Sequence, residues 1–377
     1  MARRPEMLSI VSRLGAMQWG LVLLLIAVAA VGVVLLYSAA GGKYDPWATR
    51  QIGRFAIAFL IMLAVAVTDL RLWLRYAYVI YAISIVMLIA VDVVGILSKG
   101  AERWLNLGVI RLQPSEVAKI ALVLALARYF HKSNFDDVKR PIRLVVPTLM
   151  ILVPVGLVLK QPDLGTAVIL LVVGAVMFYM AGVKLWKFAV VLAAAAAAIP
   201  VAWHYLRDYQ KQRLLTFMDP ETDPLGTGYH IIQSKIAFGS GGVFGKGLLQ
   251  GTQIHLNFLP EMHTDFILSI LAEEWGLVGG LILLCLYGLI VWYGIVASLR
   301  SRNQFGRLLA IGVTFTFFLY VFINMGMVMG LLPVVGVPLP LVSYGGTSMM
   351  TLMFGFGLIL SIHTHREAKI GRFDNES

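Results

Sequence analysis

"MHTDFILSILAEEWGLVGGLILLCLYGLIVWYGIVASL", residues 262–299, decides how the chain is read. From Ile267 onward it is apolar for longer than the roughly 17–25 residues that span a bilayer. It therefore reads as a membrane helix. Yet it opens with His263, Thr264 and Asp265 and carries Glu273 and Glu274 further in. Ionisable groups within membrane segments are costly and tend to mark function.

The rest of the chain agrees with a membrane setting. It is 59% hydrophobic and only 14% charged, whereas soluble domains are about one quarter charged. Mean hydropathy is +0.83. Apolar runs occupy 20–40, 52–67, 77–95, 120–129, 144–159, 167–181, 188–201, 267–296, 308–332 and 349–362. The run at 120–129 reaches spanning length when Pro114–Lys119 is included. The expected fold is an all-α polytopic membrane protein with ten transmembrane helices. Residues 1–377 form a single membrane domain with a short cytoplasmic tail at 367–377. Arg3, Arg4 and Arg13 precede the first run as in a signal peptide, but that run is too long for one, so a retained helix is expected. The lone Cys285 permits no disulfide framework.

A net charge of +11 raises nucleic acid as a partner. Membrane topology accounts for it better, because Lys and Arg collect in cytoplasmic loops. With the N-terminus inside, short inner segments hold eighteen Lys and Arg and short outer segments seven. Both termini are then cytoplasmic. The long connection between helices 7 and 8, residues 207–262, is periplasmic.

Four motifs begin helices that descend from that same outer face: "QPSEVAK" (113–119), "QPDLGTA" (161–167), "HTDF" (263–266) and "SYGGTS" (343–348). Helix N-termini carry unpaired N–H groups and partial positive charge, so together they suit a phosphate or diphosphate. Arg103, Arg111, Lys119, Arg213, Lys235 and Lys246 lie on that side. Gln161, Asp163 and Ser343 belong to the motifs as supporting polar groups. The plainer account is good helix-start chemistry, with proline in the first turn.

Glu116 and Lys119 share a helical face and can pair. Such a pair locks a bundle, holds a phosphate, or does both. Thr264 suits a helix cap and Asp265 the first turn. Alternatively, Asp265 is a general base at the water–lipid boundary, with His263 titrating beside it. Asp219, Glu221 and Asp223 have oxygen-rich spacing, though solvated turns more often look this way. "FGSGGVFGKG" (238–247) lacks both the strand and the GK[ST] ending of a phosphate loop.

"KGAERWLNLG", "RLQPSEVAK", "QPDLGTA", "YQKQRLLTFMDPETDPLGTGYHIIQSKIAFGSGG", "FLPEMHTDFI" and "GVPLPLVSYGG" together resemble the SEDS family (shape, elongation, division and sporulation) over about residues 15–366. "PSEVAK", "GYHIIQSKIA", "LLPVVGVPLPLVSYGG" and "SIHTHR" are more similar to its rod-shape branch than to its division branch. The resemblance implies a peptidoglycan glycosyltransferase of the bacterial inner membrane. Its substrates would be lipid II and a lipid-linked glycan strand. A class B penicillin-binding protein and other elongation-complex proteins would be partners. The essential aspartate falls on Asp265, the polar pair on Glu116 and Lys119, and the "RW" arginine on Arg103. No cofactor is required, and a divalent cation stays open.

A lipid II flippase or a non-catalytic scaffold for the penicillin-binding protein would use similar helices. A flippase calls for polar groups on both faces or an inverted repeat, and the sequence has no internal repeat. A scaffold has no need of a carboxylate at 265.

Overall fold

In lipid, every backbone polar group must be satisfied within the protein, which makes long apolar segments helical. A computed structural model describes residues 14–15, 17–94, 96–98, 101–106, 111–133, 140–205, 211, 215–217, 219, 227–252 and 262–366. The first seven helices are α1 (Trp19–Ala39), α2 (Ala48–Ala66), α3 (Leu70–Val94), α4 (Pro114–Lys132), α5 (Pro141–Lys160), α6 (Leu164–Met180) and α7 (Leu185–Tyr205). After them come α8 (Thr227–Gly241), α9 (Ile267–Arg300), α10 (Gln304–Val328) and α11 (Gly346–Thr364). Each expected apolar run holds a helix, and α8 is additional. Among the described residues, seven helices are long and apolar enough to cross a membrane by length and composition. α6 and the apolar part of α7 are shorter, and α4 carries Glu116, Lys119 and Arg128.

Local chemistry sets several boundaries. Pro114 and Pro141 occupy first-turn positions of α4 and α5, where no N–H is needed. The Asp163 carboxylate caps α6 by accepting from Thr166 N. Asn303 caps α10 by accepting from Gly306 N at 2.6 Å. α10 stops at Val328, short of the expected Leu332, and Gly330 follows in the left-handed region at φ 72°. α4, α10 and α11 are the most enclosed helices, and their small residues permit close approach. A Cβ on Gly312 of α10 would lie 2.5 Å from Val123 of α4.

Three features add to the ten expected spans. A three-stranded antiparallel sheet lies between α3 and α4: β1 (Ile96–Ser98), β2 (Ala101–Asn106) and β3 (Arg111–Leu112), in that order. Its strands are too short for their alternation to stand out from neighbouring apolar runs. Second, the 207–262 connection contains α8, in keeping with the short elements that the mixed apolar and glycine residues of "GYHIIQSKIAFGSGGVFGKG" suggest. Third, α9 is two helices in line, broken at Gly276 (φ 63°, ψ −157°).

The break exposes backbone groups that the segment after α8 satisfies. Lys246 N donates to Glu273 O at 2.9 Å, and Gly247 N to Glu274 O at 3.0 Å. In return Leu277 N donates to Gly242 O and Val278 N to Val243 O, at 3.0 and 3.1 Å. Glu273 and Glu274 are buried within this joint. Glu273 accepts from Lys246 Nζ at 2.7 Å and from Thr252 N at 2.8 Å. Glu274 accepts from Leu249 N at 3.1 Å and from Ser38 of α1. The glycine-rich stretch is therefore a docking seam.

Gly245 has φ 78°, and a Cβ there would fall 2.1 Å from Glu274 O. Left-handed strain alone costs roughly 1–3 kcal/mol. Gly245→Ala should lower the thermal midpoint of the detergent-solubilised protein by several degrees. Gly280→Ala, whose Cβ meets nothing within 4 Å, should leave it unchanged. Equal midpoints in a thermal scan would remove the seam as a stabilising joint.

Candidate active site

The site is built where α9 fails to begin at its expected position. Thr264 was expected as the cap, with Asp265 in the first turn. Instead residues 262–266 form turns, Phe266 is the N-cap without a side-chain cap bond, and the first turn holds no acid. The cause is tertiary. Three successive carbonyls of this turn accept hydrogen bonds from elsewhere: His263 O from Tyr344 N at 2.9 Å, Thr264 O from Ser343 Oγ, and Asp265 O from Asn324 Nδ2 at 3.0 Å. Groups pulled toward these donors are drawn away from local capping geometry.

The donors come from α10 and from the irregular segment 331–345 that joins it to α11. That segment is itself fastened. Leu339 N donates to Ser343 Oγ at 2.8 Å, and Gln51 Nε2 of α2 donates to Ser343 O at 3.0 Å. Tyr287 Oη donates to Pro340 O at 2.8 Å. Gly336, at φ 72°, leaves room beside the carboxylate, since a Cβ there would stand 3.6 Å from Asp265 Oδ2.

Aromatic rings line the same end. His263 stacks on Trp47 with centroids 4.6 Å apart and planes 9° from parallel. Tyr344 lies 6.0 Å from the His263 ring, and the Arg54 guanidinium sits 4.4 Å above Tyr344. The remaining motifs reach this end as well. Thr347 Oγ1 at the start of α11 donates to Arg111 O at 3.1 Å, and Gly165 of α6 packs on Val335.

Glu116 and Lys119 are paired at 2.7 Å and almost fully buried. Tyr320 of α10, also buried, closes the group. Its hydroxyl donates to Glu116 Oε2 and accepts from Lys119 Nζ, which also stands 4.3 Å from the ring centroid. Lys119 is thus engaged by two partners within the protein. Burying such a pair is neutral at best, but removing one member strands the other, at about 3–5 kcal/mol.

The other expected residues are placed more variously. The Asp163 carboxylate accepts from Thr166 N at 3.2 Å and Thr166 Oγ1 at 2.9 Å, and it acts electrostatically on Tyr320. Gln161 is buried and donates to Leu88 O of α3 at 2.9 Å. Lys235 is exposed on α8 and crosses Gly330, where a Cβ would meet its Cε at 2.3 Å. That places its ammonium by the C-terminal end of α10, where the helix dipole favours a cation. Arg103 lies on β2 with its side chain outside the described residues, and Arg213 lies outside them altogether. Of the three acids with oxygen-rich spacing, Asp219 is exposed, and Glu221 and Asp223 are outside the described residues.

Sequence reasoning did not single out Tyr320 and Asn324. They are four residues apart on α10, hence on one face. Two polar residues at that spacing in the mostly apolar second half of the helix were a readable signal. Tyr320 holds the Glu116–Lys119 pair and Asn324 the Asp265 turn. One helix therefore positions both groups about 6 Å apart along its axis, at 1.5 Å per residue.

Many known proteins are similar to this chain in sequence. The protein from Escherichia coli K12 called peptidoglycan glycosyltransferase MrdB is 47% identical over 350 residues, covering 92% of this chain and 93% of its own. A probable peptidoglycan glycosyltransferase FtsW from Thioalkalivibrio sulfidiphilus is 38% identical over 361 residues, covering 91% and 88%. Among solved structures, a chain of a peptidoglycan synthase complex that coordinates polymerization and crosslinking superposes with a TM-score of 0.81. It is 37% identical, with 94% of this chain and 99% of that one covered. The rod shape determining protein RodA of Thermus thermophilus superposes at 0.71 with 32% identity, covering 94% and 98%. The family model described as cell cycle protein, which groups FtsW, RodA and SpoVE, matches residues 18–368. With the motifs, the helix order and nearly the whole length in agreement, the chain belongs to the FtsW/RodA/SpoVE family.

Proposed function

We infer that the protein is a peptidoglycan glycosyltransferase that polymerises lipid II into glycan strands during cell elongation. The observation that carries this reading is 47% identity over 92% of the chain to a relative of that name. The site supports it physically, since a carboxylate lies in a braced turn at the end of the bundle where helix N-termini converge. Ten spans, cytoplasmic termini and a periplasmic 207–262 segment put this site on the outer face of the inner membrane. There it meets a lipid-linked substrate. A class B penicillin-binding protein is the partner suggested by the synthase-complex neighbour.

The donor is a growing strand on undecaprenyl diphosphate, and the acceptor is the GlcNAc 4-hydroxyl of lipid II. As that oxygen attacks the anomeric carbon, Asp265 takes its proton. The bond to the diphosphate breaks and the diphosphate leaves with the electron pair. An α-linked donor giving a β-1,4 product is inverted in one displacement, so a single base suffices. Helix N-termini and nearby cations would stabilise the charge on the leaving group. Glu116, Lys119 and Tyr320 hold α4 and α10 in register, while Ser343 and His263 brace the Asp265 turn. In this reading Gln161 and Asp163 fix the start of α6, and Lys235, Arg103 and Arg213 contribute positive charge from the outer segments.

Purified protein given labelled lipid II, with and without its partner, should make glycan chains. Asp265→Asn should lower polymerisation by at least about 10²-fold, the lower range for a general base. Insertion and partner binding should be unchanged. Near-normal synthesis by this variant would leave the reaction without its base.

Glu116→Gln and Lys119→Met should each reduce activity, because each strands a buried charge. The double variant should be less impaired than the product of the two losses. Tyr320→Phe should give a smaller loss, since the ion pair remains. Full activity in Lys119→Met would exclude any role for the pair.

Topology is open to direct labelling. In a Cys285→Ser background, a cysteine at Ser240 should react with an impermeant thiol reagent from the periplasm, and one at Ser133 only from the cytoplasm. Periplasmic labelling of both would overturn the proposed orientation.

A further inference from the structure

Asn324 is fully buried on α10, and its side-chain amide makes an unusual pair of bonds. Nδ2 donates to Asp265 O at 3.0 Å and to Val337 O at 2.7 Å. Both amide hydrogens are thereby used. The orientation is fixed by chemistry, because exchanging the amide ends would set Oδ1 against two carbonyls. Oδ1 itself is buried and has no hydrogen-bond partner among the described residues. An unsatisfied buried acceptor of this kind costs roughly 1–3 kcal/mol. An apolar side chain of similar size would avoid that cost, so what distinguishes asparagine here is the pair of bonds made by Nδ2.

Those bonds join the two backbones that flank the Asp265 carboxylate. Val337 follows Gly336, the glycine that faces Asp265 Oδ2. Asp265 itself lies in a turn ahead of α9, which begins at Ile267. Ser343 and Tyr344 brace the two preceding residues, but only through the 331–345 segment. Asn324 ties that turn to a long, enclosed helix.

We propose that Asn324 is a positioning residue for glycosyl transfer, acting through Asp265 by holding its backbone against that of Val337 so that the carboxylate stands at a fixed place beside Gly336. This rests on the reading of Asp265 as the base. Asn324 itself touches no reacting atom. A misplacement of about 1 Å at a reacting group can cost as much as 10²-fold in rate. Loss of the amide should therefore act on turnover more than on substrate affinity.

The test compares Asn324→Leu, Asn324→Asp and Asn324→Gln with the parent and with Asp265→Asn, each as the full chain in detergent with its partner and labelled lipid II. Asn324→Leu removes both donors at similar size. Asn324→Asp is isosteric and keeps the interpretation open to test if the leucine variant fails to fold. Asn324→Gln keeps a donor on a longer arm. Expected is a fall in kcat of about 10- to 100-fold for Leu and Asp, within the range for a displaced catalytic group. Lipid II KM should stay within about twofold. Leu and Asp should lower the thermal midpoint because two buried carbonyls lose their donor, and Gln should recover part of the kcat lost in Leu out of proportion to any recovery of the midpoint. Three results would overturn the proposal: a parental kcat in Asn324→Leu or Asn324→Asp, a rise in KM alone, or losses of kcat that follow the thermal midpoint across the series. If Asp265→Asn is inactive while Asn324→Leu is normal, only the positioning role fails. If Asp265→Asn is active, the base assignment fails first.

Discussion

Three consecutive carbonyls, those of His263, Thr264 and Asp265, accept hydrogen bonds from groups 59 to 81 residues later in the chain. That constraint organises the rest of the site. It postpones the start of α9 to Ile267 and keeps Asp265 out of a helical first turn. It also binds the turn to α10 and to the segment before α11. A carboxylate at a helix start would have been a stabilising cap. Held in an extra-helical turn, it stands outside the first turn of α9, and donors whose own backbones are anchored help to set its position.

The same logic recurs at the break in α9. A left-handed Gly276 interrupts the helical ladder, and groups left without helical partners are met by Gly242, Val243, Lys246 and Gly247. Non-helical backbone within a membrane protein is tolerated where the protein itself satisfies it. Glu273 and Glu274 complete the joint by accepting from Lys246, Thr252, Leu249 and Ser38. Two acids in an apolar helix thus have a structural explanation: their oxygens are used to hold an adjoining segment. α8 is docked by the same means, since Ser234 bridges Ser269 and Val328 O. The first half of α9, the segment after α8 and the end of α10 are consequently one connected unit next to Asp265.

The buried group of Glu116, Lys119 and Tyr320 has a different character. Its charges are compensated internally, and Lys119 has no need of a ligand to be satisfied. Such a group contributes little net stability, because desolvation offsets the attraction. What it does supply is register. The tyrosine must meet both members of the pair, and this admits one alignment of α10 against α4. Through Asn324, one turn further along, that alignment reaches the Asp265 turn.

Composition and local pattern determined much of this protein. Apolar length located a helix in each of ten runs. Pro114 and Asp163 marked helix starts through chemistry that acts within a few residues, and the spacing of Glu116 and Lys119 announced their pairing. Hydropathy and capping are properties of a short window, so a sequence displays them directly. The true start of α9, its break at Gly276, the small sheet before α4 and the partnerships of Tyr320 and Asn324 were decided only in the tertiary structure. Each depends on which donor meets which acceptor across distant parts of the chain, as Asn324 meets Asp265 O and Tyr344 meets His263 O. A buried polar group takes whatever partner the packed helices bring within reach, and no local window contains that partner.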